Sequence, residues 1–328
     1  MLNPILPWQE QNWLVLNRYL HQQRIPQALL ISGAKGLGKY QLALQLSQTL
    51  LCTHRLKTGL ACQTCSSCTL FKAGTHPDFM PISPEEDKKI IGIDAIRGLI
   101  TKLTLKPQFD SYRVVLIQPA DQLNNAAANS FLKCLEEPNE RTCIVLLSEK
   151  PQQLPATIRS RCQKLLVPTP TAAVAREWLK SQGITEHLDV LLSLAQGAPL
   201  LAQQYVSETL IATRLQCFDD WLKVGAGQLN PISLAEQWYK LDVKLVLFWQ
   251  ISWITDMIKC RYSADSASLY HVDLKQPLQE RAKQLNLQQM YRFYDSLVER
   301  MQKVDTQINK QLLLEELLIA WLNLNKRS

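Results

Sequence analysis

From residue 28 to residue 167, short apolar runs alternate with stretches of helical periodicity, the pattern of a parallel sheet covered by helices. ALLIS, 28–32, reads as a buried strand running straight into a glycine-rich loop, and KYQLALQLSQTLL, 39–51, as the helix that follows. Further strands are predicted at RVVLI, 113–117, and TCIVLLS, 142–148, and PATIRSRC, 155–162, as a short helix before QKLLVP, 163–168. DAIRGLITKL places Ile96, Leu99, Ile100 and Leu103 on one face behind Asp94 as N-cap, and NNAAANSFLKCLEEP, 124–138, reads as a helix stopped by Pro138. These elements sum to one doubly wound α/β domain over residues 1–167.

After the proline-rich hinge VPTPT, 167–171, strand signals vanish and only helical patterns remain. AVAREWLKSQG and HLDVLLSLAQG give a small helical module over 168–207. From 208 to 328, NKQLLLEELLIAWLNL included, the pattern is that of an all-α bundle. The Trp249 and Trp253 helix reads as bundle core, and its apolar run, broken by Gln250 and Asp256, falls short of the roughly 20 residues a membrane span needs.

Composition narrows the class without choosing within it. In 328 residues, 46% are hydrophobic and 20% charged, the balance of a globular protein with two or three cores. The formal charge of +7 suits a nucleic-acid setting and equally a generally basic cytoplasmic protein. MLNPILPWQEQNW has no basic region followed by an unbroken apolar stretch, so no signal peptide is expected, and the nine cysteines are read as reduced thiols or metal ligands.

Chemistry enters with GAKGLGKY, 33–40. A phosphate-binding loop follows G-x-x-x-x-G-K-[ST]: its glycines turn backbone N–H groups toward phosphate, its lysine reaches the terminal phosphates, and its final hydroxyl holds Mg²⁺. Gly33, Gly38 and Lys39 fit, but the hydroxyl position holds Tyr40, whose rigid ring cannot place oxygen there. ATP and Mg²⁺ are therefore not expected to be bound productively. Lys39 has two readings, a weak residual phosphate ligand or a partner for a neighbouring carboxylate, and Tyr40 is expected to pack into the old pocket.

The next excursion, about 52–68, carries Cys52 and then Cys62, Cys65 and Cys68 at two-residue spacing. Four thiols in this arrangement suit a tetrahedral structural Zn²⁺ with no open position for an activated water. Cys134, Cys143, Cys162, Cys217 and Cys260 stand singly and read as core residues, and His76 in GTHPDF as a hydrogen-bonding residue beside a turn.

GAKGLGKY, the four cysteines, GTHPDF, LKCLEEP, LPATIRSRC and the helical C-terminal region, in that order, resemble the delta-prime family of bacterial DNA polymerase III clamp-loader subunits, which are AAA+ proteins. The resemblance covers essentially the whole chain. It implies an AAA+ P-loop domain with a zinc-binding insertion, a helical lid over 168–207 and a helical collar over 208–328. It also implies a hetero-oligomeric ring with gamma/tau ATPase and delta subunits, acting on the β sliding clamp and primer-template DNA in the cytoplasm. Active relatives end the strand matching RVVLI in Asp-Glu, where this chain has Gln118 and Pro119, and place an arginine where it has Leu200. Ser160-Arg161-Cys162 matches the motif whose arginine reaches a neighbour's nucleotide, so the resemblance implies Arg161 as a finger in trans; without it, Arg161 reads equally as a cation at a helix end. Lys102, Lys106 and Arg113 are the basic residues that the DNA expectation singles out. Two other functions stay open here: an active gamma-like ATPase with relaxed motifs, and a zinc-dependent DNA-binding module on a degenerate P-loop scaffold.

Overall fold

The computed structural model describes residues 5–56, 58–85, 89–109, 111–137, 141–207, 210–262, 269–304, 306 and 308–326. Pro138, expected to stop a helix, and residue 208, expected to open the collar, lie outside the described residues. The chain divides into two compact units, one of residues 1–178 with 198–201, the other of 179–197 with 202–328.

In the first unit, helix α1 (Glu10–His21) leads to strand β1 (Ala28–Ser32), followed by α2 (Lys39–Leu51), α3 (Ser66–Lys72), β2 (Phe79–Ile82), α4 (Ile93–Leu103), β3 (Arg113–Ile117), α5 (Asn125–Glu136), β4 (Thr142–Ser148), α6 (Ala156–Arg159) and β5 (Gln163–Leu166). All strands run parallel, in the order β2-β3-β4-β1-β5. Each central strand divides its side chains between two cores by period-two alternation. Leu29, Ile31, Val114, Leu116, Val145 and Leu147 join α1 and α2 on one face; Leu30, Val115, Ile117, Ile144 and Leu146 join α4, α5 and α6 on the other. Such double coverage is why RVVLI and TCIVLLS are unbroken apolar runs.

Two expectations are corrected in detail. Gly92, not Asp94, occupies the N-cap of α4. Asp94 sits in the first turn, where its charge favours the helix dipole and it pairs with Arg97 at 3.6 Å. Asn124 caps α5, its side chain accepting from the Ala127 N–H at 2.7 Å. Cys143, Cys162 and Cys217 are buried, whereas Cys134 and Cys260 are partly so.

Helices α7 (Ala172–Ser181), α8 (Leu188–Leu194) and α9 (Pro199–Ser207) precede α10 (Leu210–Gly225), α11 (Pro231–Trp238), α12 (Val243–Tyr262), α13 (Lys275–Gln284), α14 (Leu287–Lys303) and α15 (Lys310–Lys326). The second unit's core is aromatic: Trp221 and Trp321 stack at 3.7 Å, Trp253 meets Trp221 at 5.2 Å, and Trp249 is buried with them. Among the described residues, no helix is long and apolar enough to cross a membrane.

A buried polar chain runs through this unit. Fully buried Arg214 donates to His271 Nδ1 at 2.6 Å and pairs with Asp273. An acceptor at Nδ1 leaves the proton on Nε2, which faces Ser252 Oγ at 2.7 Å, and that hydroxyl donates to the Trp249 carbonyl at 2.8 Å. Burial, reinforced by the Arg214 charge, holds His271 down at about 3. Between the ordinary value of 6.5 and about 3 the unfolded chain binds a proton that the folded one refuses, so stability is lost as pH falls through that window. Asp256, pushed up by burial, offsets part of this at the acid end. Thermal unfolding followed by tryptophan fluorescence is expected to show the fall, with one proton setting a limiting slope of about 1.4 kcal/mol per pH unit; His271→Gln should flatten it.

Candidate functional site

The topology brings the glycine loop to the C-terminal end of β1, flanked by β4 and β5, the position where open parallel sheets receive ligands. Gly36 and Gly38 both have φ of 78°, a region that side chains avoid. Protein fills the space beside them: a Cβ on Gly36 would lie 2.5 Å from Leu201 Cβ, and one on Gly38 would lie 2.4 Å from Leu6 Cδ1. The loop's carbonyls are also taken, Gly36 O by the Leu200 N–H at 3.2 Å and Leu37 O by Trp8 Nε1 at 3.0 Å and Gln9 Nε2 at 2.7 Å.

Lys39 is buried and donates to the loop's own Ala34 carbonyl at 2.8 Å, with Glu149 at 3.9 Å. Burial lowers its pKa, while Glu149 and Asp121 draw it back up. Asp121 is itself engaged, accepting from the Ser148 hydroxyl and from the Glu149 and Lys150 N–H groups at 2.9 and 3.2 Å. Tyr40 does not pack into the old pocket: it is 42% exposed and lines an open cleft with Pro81, Pro84, Gln118 and Pro119. A phenol on the first turn of α2 is too long and stiff to fold back under its own helix end.

The four cysteine sulfurs lie within 4.8 Å of one another, with Cys52 to Cys65 at 3.9 Å and Cys62 to Cys68 at 4.0 Å. A tetrahedron of thiolates about 2.3 Å from one ion has edges of about 3.8 Å, so the donor set fits a metal. Backbone N–H groups point at the sulfurs: Cys62 N to Cys52 Sγ and Cys65 N to Cys62 Sγ at 3.3 Å, Cys68 N to Cys65 Sγ at 3.4 Å. Such bonds favour thiolate. Burial pushes Cys65 up, but the Thr53 side chain and the Cys68 N–H bring it down to about 5.

His76 stands behind the cluster. Its Nε2 faces Ser67 Oγ at 2.8 Å, and its Nδ1 accepts from the Asp78 N–H at 3.1 Å. Ser67 donates to Leu51 O at 2.7 Å, so α3 is bound to both α2 and the approach to β2.

Arg161 follows α6, 37% exposed, with its guanidinium on Glu136 of α5 at 2.7 Å and on the Thr157 carbonyl at 3.0 Å. It is held in place and still reachable from solvent. The structure does not bring it to the glycine loop of its own chain as a contact, nor to the cysteines.

Comparison with known proteins locates this arrangement. Residues 8–171 match a family model described as DNA polymerase III, delta subunit, and residues 208–323 match the corresponding C-terminal model. A Pseudomonas aeruginosa protein named DNA polymerase III subunit delta' is 34% identical over 326 residues, 98% of each chain. The chain belongs to the family of DNA polymerase III delta' subunits. The Escherichia coli delta' subunit is 31% identical over 320 residues, covering 95% of this chain and 94% of its own. Among solved structures, a DNA polymerase III gamma subunit-related protein of Thermotoga maritima is 17% identical over 95% of this chain and 99% of its own, with a TM-score of 0.44.

Within this delta' chain one basic residue is corrected. Arg113 is 2% exposed, donating to the Leu103 and Leu105 carbonyls at 2.8 and 2.5 Å with Asp78 at 3.9 Å, so it cannot meet DNA, whereas Lys102 and Lys106 are exposed. Sequence reasoning missed Trp8, Gln9, Leu201 and Glu149 around the glycine loop. Trp13, Leu16 and Leu20 carry a helical spacing that marks α1, but nothing local announces that the residues before it cover the loop.

Gly36→Ala is expected to cost about 1–3 kcal/mol, from positive φ plus the clash with Leu201. Gly74, at φ of 73° with nothing within 4 Å of an added Cβ, isolates the backbone part. Urea unfolding of Gly36→Ala beside Gly74→Ala should show the larger loss in the first.

Proposed function

We propose that this delta' chain is a non-hydrolysing subunit of a clamp-loading ring and that it lends Arg161 to the ATP held by an adjacent gamma/tau subunit. The observation that carries the reading is the joint loss of three kinds of group from one nucleotide site. Tyr40 stands where a Mg²⁺-binding hydroxyl belongs, Gln118 and Pro119 where a metal-holding and a water-orienting carboxylate belong, and Leu200 where an arginine would meet the γ-phosphate. Gln118 keeps its side-chain oxygen buried, Pro119 offers no proton acceptor, and Leu200 uses its N–H on Gly36. A single loss could be compensated; three leave neither metal shell nor polarised water.

Arg161 remains chemically competent. A guanidinium stays charged at any working pH and presents a planar fork to phosphate oxygens. Glu136 fixes its direction now and would be exchanged for a stronger anion when a neighbour brings a nucleotide. On this reading residues 168–207 form the lid and 208–328 the collar, the ring includes the delta subunit, and the assembly places the β sliding clamp on primer-template DNA in the cytoplasm. The chain's contribution is positional: one cation delivered across an interface.

Cys52, Cys62, Cys65 and Cys68 would hold a structural Zn²⁺, with all four positions filled by protein. Bound there, the ion supplies crosslinking of residues 52–68 and no Lewis-acid site. Elemental analysis should return one zinc per chain. Cys62→Ser with Cys65→Ser should lose it and lower the melting temperature, since structural zinc couples about 10–16 kcal/mol of apparent binding free energy to folding. Salt-sensitive DNA binding that vanished in this variant with stability intact would instead favour a zinc-dependent DNA-binding module.

The deciding experiment is the DNA- and clamp-stimulated ATPase of a loader reconstituted with this chain. Arg161→Ala should lower the rate about tenfold or more while assembly, checked by gel filtration, is preserved. An unchanged rate removes the finger, and Mg²⁺-dependent ATP hydrolysis by the isolated chain would sink the non-hydrolysing reading.

A further inference from the structure

The four cysteines sit on two different elements. Cys52 is the first residue past the end of α2, whereas Cys65 caps α3 and Cys68 lies in its first turn. An ion ligated by all four thiolates holds its donors at fixed separations, so the end of α2 must be kept in register with the start of α3. One side chain makes that connection beside a cysteine on each element. Ser67, fully buried and next to Cys68, donates its hydroxyl proton at 2.7 Å to the carbonyl of Leu51, the residue before Cys52.

His76 sets the direction of this hydroxyl. Because the Ser67 proton is committed to Leu51 O, the 2.8 Å contact between Ser67 Oγ and His76 Nε2 requires the ring to be the donor. The other ring nitrogen agrees: Nδ1 accepts from the Asp78 N–H at 3.1 Å, which leaves the proton on Nε2. A single neutral tautomer therefore satisfies both contacts. The ring is also fixed in place. It is 4% exposed and lies 5.0 Å from the Phe109 ring, while the buried Asp78 carboxylate accepts from the Gln108 and Phe109 N–H groups at 3.1 and 3.0 Å. With both nitrogens engaged, the imidazole supplies position and no ligand atom.

We propose that His76 is a positioning residue of the metal site: through the Ser67 hydroxyl it holds the Cys52 end of α2 against the turn that carries Cys65 and Cys68. The inference rests on the metal reading of the four cysteines. Hydrogen-bonding partners behind a ligand set change metal affinity by about 10–100-fold, because they fix the donors before the ion arrives. Here the effect passes through backbone: without the ring, Ser67 Oγ loses its donor, the hydroxyl can turn away from Leu51, and the two cysteine-bearing segments are free to drift apart.

The test measures zinc affinity of the purified full chain by competition with a chromophoric chelator, together with the visible absorption of the cobalt(II)-loaded chain, which reports thiolate geometry directly. His76→Phe and Ser67→Ala should each weaken zinc about tenfold or more. The double variant should be no weaker than either alone, since the two side chains act in series. His76→Gln, whose terminal amide N–H can donate to the same hydroxyl, should bind more tightly than His76→Phe. Ser67→Ala adds no bulk and carries the test by itself where His76→Phe does not fold. Zinc affinity and cobalt spectrum unchanged in His76→Phe or Ser67→Ala overturn the proposal even where the melting temperature falls, as does a double variant whose loss is the sum of the two. A parent chain that takes up no zinc removes the metal reading itself, and this inference with it.

Discussion

A loop of glycines has no side chains with which to fill the space around itself, so whatever lies against it decides what the first unit can do. Here that matter is protein. Leu200 and Leu201 cover Gly36, while Leu6, Trp8 and Gln9 close over Leu37 and Gly38. Buried carbonyls left unpaired would each cost about 1–3 kcal/mol, and these are paired. Leu6, Trp8 and Gln9 and the stretch at 198–201 thus become parts of the α/β unit. Lys39 donates to Ala34 O with Glu149 at 3.9 Å, so protein groups hold the ammonium that a phosphate would otherwise attract.

The cysteine cluster is anchored to the same sheet by polar contacts behind it. Ser67 bonds Leu51 and His76, the Asp78 N–H bonds His76, the Asp78 carboxylate receives the Gln108 and Phe109 N–H groups, and Arg113 approaches Asp78 while holding the end of α4. An insertion that looks peripheral in the sequence is therefore tied to α2, β2, β3 and α4. Its fold is coupled to theirs.

Legibility followed the range of the interactions. Strands β1, β3 and β4 and helix α2 were readable to the residue because burial on both faces writes an unbroken apolar run, and a phosphate-loop pattern marks its helix by sequence alone. That the four cysteines gather in one place was readable because three of them repeat at a two-residue spacing that brings sulfurs together locally. Strand β2, a four-residue edge with Pro81 inside it, left no such trace, as edge strands tolerate proline and need little alternation. The Asp94 cap was misplaced by two residues, since glycine at an N-cap bonds nothing through its side chain and gives no signal. Arg113 looked like a surface cation because a buried arginine is visible only once the carbonyls of Leu103 and Leu105 are near it in space. The Arg214, His271 and Ser252 chain was illegible for the same reason, joining residues up to 57 positions apart.

The packing on Gly36 and Gly38 gives these glycines a reason that involves no ligand. In a working phosphate loop these glycines are required by the ligand; here they are required by Leu201, Leu6 and the backbone dihedrals. A pattern search that scores these glycines therefore scores residues that packing and backbone dihedrals already demand, whatever else the loop does.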